Sequence, residues 1–184
     1  MIGAPRAGLL PGFTFVVRGT PVTQGSKDPF TFKDKNTGRI RAGVKESAGE
    51  ALKSWRADIR QAALDALAVP DPGMGSYDER RVAAIALEVT FVIGRPAGHY
   101  GTGRNAGRLR PSAPEHPTTQ PDLDKLVRAV KDALTSASVW RDDSQVVETL
   151  SRKVYPSPNY LPHPGAIIHV ALLSAASQPQ EMIT

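Results

Sequence analysis

The chain contains no cysteine among its 184 residues, which excludes disulfides and thiolate-held metals and fits a reducing compartment. It has no apolar run of the roughly 18 residues a membrane-spanning helix needs. No basic-flanked apolar leader with a small-residue cleavage site opens it, so a secretory signal is not expected. No nucleophile elbow is present, and Gly101-Thr102-Gly103 lacks the following Lys-Ser/Thr and the preceding strand of a phosphate loop. The histidines, His99, His116, His163 and His169, show no metal-ligand spacing, and His169 alternates within an apolar run as a structural residue does.

What is present describes one globular domain over 1–184, with 40% apolar and 22% charged residues and no internal repeat or dividing linker. The net charge of +5 is unevenly spread. Residues 1–60 carry 11 basic and 5 acidic side chains, 61–93 carry 2 and 5, 94–121 carry 4 and 1, and 122–155 balance at 6 and 6. Basic segments in a chain with a carboxylate-rich stretch suit a polyanion such as nucleic acid, or form a solvated surface with no partner.

Residues 1–12 and 175–184 are expected to be disordered tails. Phe13 to Arg18 is β-branched and aromatic, a strand closed by Gly19-Thr20-Pro21. A polar segment follows with Lys27, Lys33, Lys35, Arg39, Arg41 and Lys45, in which Asn36-Thr37-Gly38 suits a hairpin turn between residues 30–32 and 39–41. Such a hairpin either wraps a phosphate backbone or is a surface feature. Ser47 and Glu50 are spaced as a capping box. Behind them Leu52, Trp55, Ile59, Ala63 and Leu67 recur at helical spacing over 47–68, with Lys53, Arg56 and Arg60 as a basic stripe opposite.

After Pro70, residues 71–79 read as a loop and 81–93 as a strand. Its apolar character on both faces predicts a central place in a sheet. Residues 94–120 have no periodicity, and a connection that long is more often functional than idle. From it His99, Tyr100, Arg104 and Arg108 could reach a nucleic acid. Residues 146–155 and 165–173 are further strands. The expected class is α+β: a mixed sheet of about four to five strands packed against two main helices, over 47–68 and 123–137.

The chemistry concentrates in Pro121 to Val147. Four of its five carboxylates form two close pairs, Asp122 with Asp124 and Asp142 with Asp143. Like charges brought together repel unless a cation intervenes, so the pairs are candidate ligands for a divalent ion. The rival reading is structural, since Asp-Leu-Asp caps helices and Asp-Asp occupies turns. Between the pairs, Leu123, Leu126, Val127, Val130, Ala133, Leu134 and Ala137 line one side of a helix. Asp124, Arg128, Lys131, Asp132 and Thr135 line the other, where Arg128 can face Asp124 or Asp132. Trp140 is expected in the core or at a dimer interface rather than as a base-stacking wedge. For Asp143 to join Asp122 and Asp124, the chain must return along a helix of roughly 21 Å.

The stretch resembles the signature of the RusA family of Holliday junction resolvases, endonucleases frequent in phages and prophages. The matching elements are Asp122-Leu123-Asp124, a basic residue four positions later, Asp132-Ala133-Leu134, and Asp142-Asp143-Ser144-Gln145-Val146. Gly19-Thr20-Pro21, the Gln24–Lys27 segment, Glu46-Ser47 and Lys53-Ser54-Trp55-Arg56 resemble its N-terminal half. Lys125 stands where the family has Asn, and Arg128 where it has a catalytic lysine. Arginine keeps the charge but does not donate a proton near neutral pH.

The resemblance implies that Asp122, Asp124 and Asp143 bind Mg²⁺, with Mn²⁺ able to substitute, and that Arg128 assists at the scissile phosphate. Asp142, Lys125 and Lys131 fall behind these. Lys27, Lys33, Lys35, Arg39, Arg41, Arg104 and Arg108 are the expected DNA contacts. It further implies a homodimer, a four-way-junction substrate, no organic cofactor, and a place in the cytoplasm of a bacterium or phage-infected host. A metal nuclease acting on forks, flaps or duplex, and a branched-DNA-binding protein without cleavage, are the alternatives.

Overall fold

The computed structural model describes residues 12–25, 27–35, 37–46, 49–69 and 75–173. The expected tails at 1–11 and 175–184, together with Ser47, Asn36 and Pro70, lie outside them. Residue 12, assigned to a tail, instead opens the first strand. β1 (Gly12–Arg18) alternates Phe13, Phe15 and Val17 inward with Thr14, Val16 and Arg18 outward, the period-2 pattern of a strand covered on one face. β2 (Lys27–Lys33) and β3 (Ile40–Glu46) form a separate two-stranded antiparallel ribbon. Its arms are longer than the three residues expected from the turn alone. Asp34 organises the turn: its backbone N–H donates to Arg39 O at 2.9 Å and its carboxylate takes Arg41 at 3.1 Å.

α1 (Gly49–Leu67) buries Leu52, Trp55, Ile59 and Ala63. Of the loop expected over 71–79, residues 71–74 lie outside the described ones, and the remainder is not all loop. Ser76 and Glu79 form a reciprocal capping box that starts a single helical turn, α2 (Tyr77–Arg80). Arg81, Val82 and Ala83 complete that turn, donating to Tyr77 O and Glu79 O, so the following strand begins at Ala84 rather than 81. β4 (Ala84–Val92) is central, as its two-faced apolarity predicts. α3 (Leu123–Ser136), β5 (Val146–Val154) and β6 (Gly165–Leu173) complete the order.

The main sheet is mixed and four-stranded, in the order β1-β6-β4-β5. β6 runs antiparallel to both β1 and β4, while β4 and β5 are parallel. Register puts Phe13, Val170 and Leu87 in one row, Phe15, Ile168 and Val89 in the next, and Val17, Ala166 and Phe91 in a third. All nine are buried and share a core with Trp55, Ile59, Leu126, Val130 and Trp140, so α1 and α3 cover this face. The opposite face is half-buried. On it Thr14 Oγ1 and His169 Nδ1 are 2.8 Å apart, and Arg152 pairs with Glu88.

A parallel pair cannot be joined by a tight turn, so β4 and β5 are linked by a long loop and α3. That crossover sets the positions of both aspartate pairs. Lys153 near the end of β5 donates to Thr119 O and Pro121 O, each at 2.8 Å, which fixes the start of α3 beside the C-terminal ends of β4 and β5. α3 then runs back, and its far end lies near the start of β5. No helix of the described residues is long and apolar enough to cross a membrane.

Candidate active site at two ends of a crossover

Asp122 occupies the N-cap position of α3, with extended φ −69° and ψ 132°, yet its carboxylate accepts no capping hydrogen bond. It takes Lys125 Nζ at 2.8 Å instead. The hydrogen bond from Lys125 and then its charge hold the Asp122 carboxyl below its usual range, and the same contact raises the Lys125 ammonium. The capping reading therefore fails for Asp122: its oxygens face a cation rather than the helix amides. The backbone N–H of Gln24 donates to Lys125 O at 3.2 Å, which lays the segment after β1 against this first turn.

Asp124, one residue into the helix, is exposed and makes no ion pair among the described residues. Arg128 and Lys131, four and seven positions on, continue the same stripe. The expected partnership of Arg128 with Asp132 does not form. Asp132 is taken by Arg56 of α1 at 3.6 Å, and Arg60 Nε donates to Ser136 O at 3.3 Å. Two members of the basic stripe on α1 thus fasten it to α3, and Arg128 is exposed without an ion pair among the described residues.

The second pair is built by the end of the helix. Ser138 adopts a left-handed φ of 56°, its N–H donating to Thr135 O at 3.0 Å and that of Val139 to Leu134 O at 3.1 Å. This is a Schellman turn, and its contact between Leu134 and Val139 is fully buried. Trp140 follows into the core, 1% exposed, with Nε1 donating to Thr135 Oγ1 at 2.8 Å, so it is no DNA wedge.

Asp142 then caps a 3-10 turn over Asp143–Gln145, its Oδ1 accepting from Ser144 N at 2.9 Å. Hydrogen bonds from Ser144, hydroxyl first and amide second, hold the Asp142 carboxyl below its usual range. Asp143 is exposed and makes no ion pair among the described residues. The sequence reading places Asp143 ahead of Asp142 as a ligand; in the fold Asp142 is engaged as a cap and Asp143 is exposed.

Gln145, in sequence no more than a letter of the motif, fastens this end. Its Oε1 accepts from Arg141 N at 2.9 Å and Asp142 N at 3.2 Å. Its Nε2 donates to Ala83 O at 2.9 Å and Arg80 O at 3.0 Å. A box of Asp-x-x-Gln spacing was the signal that could have shown it. Lys153, which ties β5 to the entry of α3, carried no sequence signal of its own.

The two pairs do not meet within one copy of the chain. α3 has 14 residues, roughly 21 Å, and the seven steps from Val146 to Lys153 span roughly 23 Å. Asp143 stands at one end of this length and Asp122 with Asp124 at the other. Among the described residues no three His, Cys, Asp or Glu side chains gather as metal ligands. The donor set is nevertheless suited to a hard divalent ion: carboxylate oxygens only, one of them already holding an ammonium.

Of the expected DNA contacts, Lys33, Lys35, Arg39 and Arg41 on the ribbon are exposed, and the side chain of Lys27 lies outside the described ones. The 94–120 loop is more ordered than its composition implies, with 3-10 turns at Ala97–His99 and Gly103–Asn105. Arg95 lies 3.8 Å from the centre of the Tyr155 ring and donates to Pro114 O at 2.8 Å, while Arg110 Nε donates to Tyr100 O at 2.9 Å. These two arginines brace the loop, and Arg104 and Arg108 remain exposed.

The sequence profile described as Endodeoxyribonuclease RusA matches residues 32–160, which contain both aspartate pairs and the crossover between them. A protein of Bacillus subtilis (strain 168), "Uncharacterized protein YqaN", is 51% identical over 39 residues. That match covers 21% of this chain and 27% of that protein, so the chain spans about a quarter of the relative's length. With the profile covering well over half of the chain and the mixed α+β sheet in place, the chain belongs to the RusA endodeoxyribonuclease family.

Proposed function

We propose that the protein is a Mg²⁺-dependent, structure-selective DNA endonuclease that resolves four-way junctions by paired cuts. The observation that carries this is the first two turns of α3. There Asp122 and Asp124 offer carboxylate oxygens at the helix entry, and Arg128 stands one turn on, exposed and without an ion pair among the described residues. Asp122, Asp124 and Asp143 would hold the ion, which when bound supplies an activated water and neutralises charge on the phosphodiester. Lys125 must release Asp122 as the cation enters, since the ammonium occupies an oxygen the ion needs. Arg128 binds a phosphate oxygen and stabilises the charge that develops there; it does not serve as the proton donor. Lys131 lies one turn further along the same stripe, and Asp142 holds the turn that presents Asp143.

The separation of Asp143 from Asp122 and Asp124 supports a homodimer in which each site draws carboxylates from both copies. A four-way junction has two-fold symmetry, and a two-fold enzyme with two such sites can cut opposed strands in register. The exposed Lys33, Lys35, Arg39, Arg41, Arg104 and Arg108 supply positive charge for the backbone. The substrate places the work in the cytoplasm of a bacterium or infected host.

The test uses synthetic junction, fork and linear duplex, each with and without Mg²⁺. Paired nicks in opposed junction strands, only with the metal, are expected. Junction binding with no cut in Mg²⁺ or Mn²⁺ would overturn the enzyme reading, and equal cutting of linear duplex would overturn the junction reading.

A further inference from the structure

The Lys125 ammonium lies 2.8 Å from Asp122 Oδ2, where a carboxylate ligand would meet its cation. The contact stands in place of an ordinary one. An aspartate at the N-cap usually accepts from a backbone amide of the first turn, and Asp122 does not. The side chains are 37% exposed for Lys125 and 44% for Asp122, so water screens the pair and it holds weakly.

A second ammonium nearby is built differently. Lys153 also attracts Asp122, but Thr119 O and Pro121 O hold it in place, each at 2.8 Å. The Lys125 side chain has no such anchor. Among the described residues Asp122 is its ion-pair partner, and only its backbone carbonyl is tied down, by Gln24 N. Asp124 attracts the same ammonium and Arg128 repels it. The helix entry therefore has one fixed cation and one movable one. A divalent ion brings two charges to a carboxylate oxygen where an ammonium brings one, and the two cannot share Asp122 Oδ2. Once displaced, the ammonium is a strongly hydrated charge on a flexible four-carbon stem, rooted in the first turn of α3. It stays beside the site, without its carboxylate and pushed outward by Arg128. The anion that arrives there with the substrate is a phosphate.

We propose that Lys125 is an exchangeable counter-ion: it holds Asp122 in the metal-free protein and passes to a DNA phosphate when a divalent ion takes that carboxylate. This rests on the reading of Asp122 and Asp124 as metal ligands and adds a coupling to it. Metal entry frees one positive charge for the DNA backbone, so the ion strengthens DNA binding. By linkage, bound DNA strengthens the hold on the ion by the same factor. Before the metal arrives the ammonium keeps the helix entry from repelling DNA, because it neutralises one of two neighbouring carboxylates.

The test reads binding rather than cleavage. Lys125→Met removes the charge and keeps the length of the side chain. Lys131→Met is the control, a charge lost from the same helix at a residue with no ion pair among the described residues. Mn²⁺ binding to the protein alone, followed by electron paramagnetic resonance, should tighten roughly three- to tenfold in Lys125→Met and stay within about twofold in Lys131→Met. Junction affinity is then titrated with salt by fluorescence anisotropy, in chelator and in Ca²⁺, which takes oxygen ligands as Mg²⁺ does. In Ca²⁺ the wild-type plot of log affinity against log salt should be steeper than that of Lys125→Met by about 0.9, the share of one phosphate contact. In chelator the two slopes should coincide. Unchanged Mn²⁺ affinity in Lys125→Met, an equal gain in Lys131→Met, or coincident slopes in Ca²⁺ would each overturn the exchange. If Asp124→Asn abolishes Mn²⁺ binding while Lys125→Met leaves it unaltered, the exchange is wrong and the metal site stands. If the wild type binds no Mn²⁺, both fall.

Discussion

The two ends of the β4–α3–β5 crossover carry the same chemistry and are built in opposite ways. At the entry of α3, Asp122 has the position of a cap and does not cap; its carboxylate is held by Lys125. At the far end Asp142 does cap, and its neighbour Asp143 is left available. One end leaves both carboxylates out of capping and fastens itself through the backbone carbonyls that Lys153 grips. The other spends one carboxylate and the whole of Gln145 on holding the second in place. A pair of adjacent aspartates is therefore not one kind of site, and what separates the two is which oxygens the backbone has already taken.

The comparison breaks most sharply with a ligand from each end. Asp124→Asn and Asp143→Asn should each lower cleavage about a thousandfold, from several kcal/mol of lost metal interaction, with junction affinity by gel shift nearly unchanged. A wild-type rate for Asp143→Asn would remove the far end from the site.

Arg128→Ala should cost roughly 10–100-fold in single-turnover cleavage through one lost charge-assisted contact. Arg128→Lys should hold or raise the rate, because charge rather than shape is retained there. A large loss in the lysine variant would mean that the planar guanidinium itself is required.

Gln145→Ala should lower stability by about 1–3 kcal/mol, since it leaves carbonyls of Arg80 and Ala83 without a donor. Urea unfolding measures this. Cleavage should fall with it even where the variant is fully folded, because Asp143 loses its brace.

Asp142→Asn should be the mildest. Asparagine caps as aspartate does, so cleavage should stay within about tenfold of wild type. The Asp142 carboxyl lies lower in the fold than its unfolded value of 3.8. Its stabilisation is present above that pH and drains away as pH falls through the folded value. Urea midpoints of the asparagine variant should therefore fall less steeply than wild type on acidification below 3.8.

The periodic elements were legible in advance because burial wrote them into the sequence. β6 falls on residues 165–173 and α3 within a residue of its expected end, since apolar spacing reports which face is covered. The helical turn at Tyr77–Arg80 is spelled only by the capping box of Ser76 and Glu79, and the Gly- and Pro-rich sequence before it reads as loop. The ordering of the 94–120 loop by Arg95 and Arg110 was illegible, because a cation over Tyr155 joins residues sixty apart with no local pattern. The aspartates were legible as chemistry but not as geometry. Whether Asp143 meets Asp122 depends on the direction in which β5 leaves the turn, and only the parallel pairing with β4 fixes that.

The central claim is that one active site takes Asp122 and Asp124 from one copy and Asp143 from the other. Mixing Asp124→Asn with Asp143→Asn tests it most directly, each protein being inactive alone. A mixed dimer with composite sites has one site bearing both substitutions and one wholly intact. The mixture should recover about a quarter of the wild-type sites at equal proportions, as nicks in single strands rather than paired cuts. A mixture shown by mass to contain the mixed dimer, yet unable to nick a junction in Mg²⁺, would contradict the account.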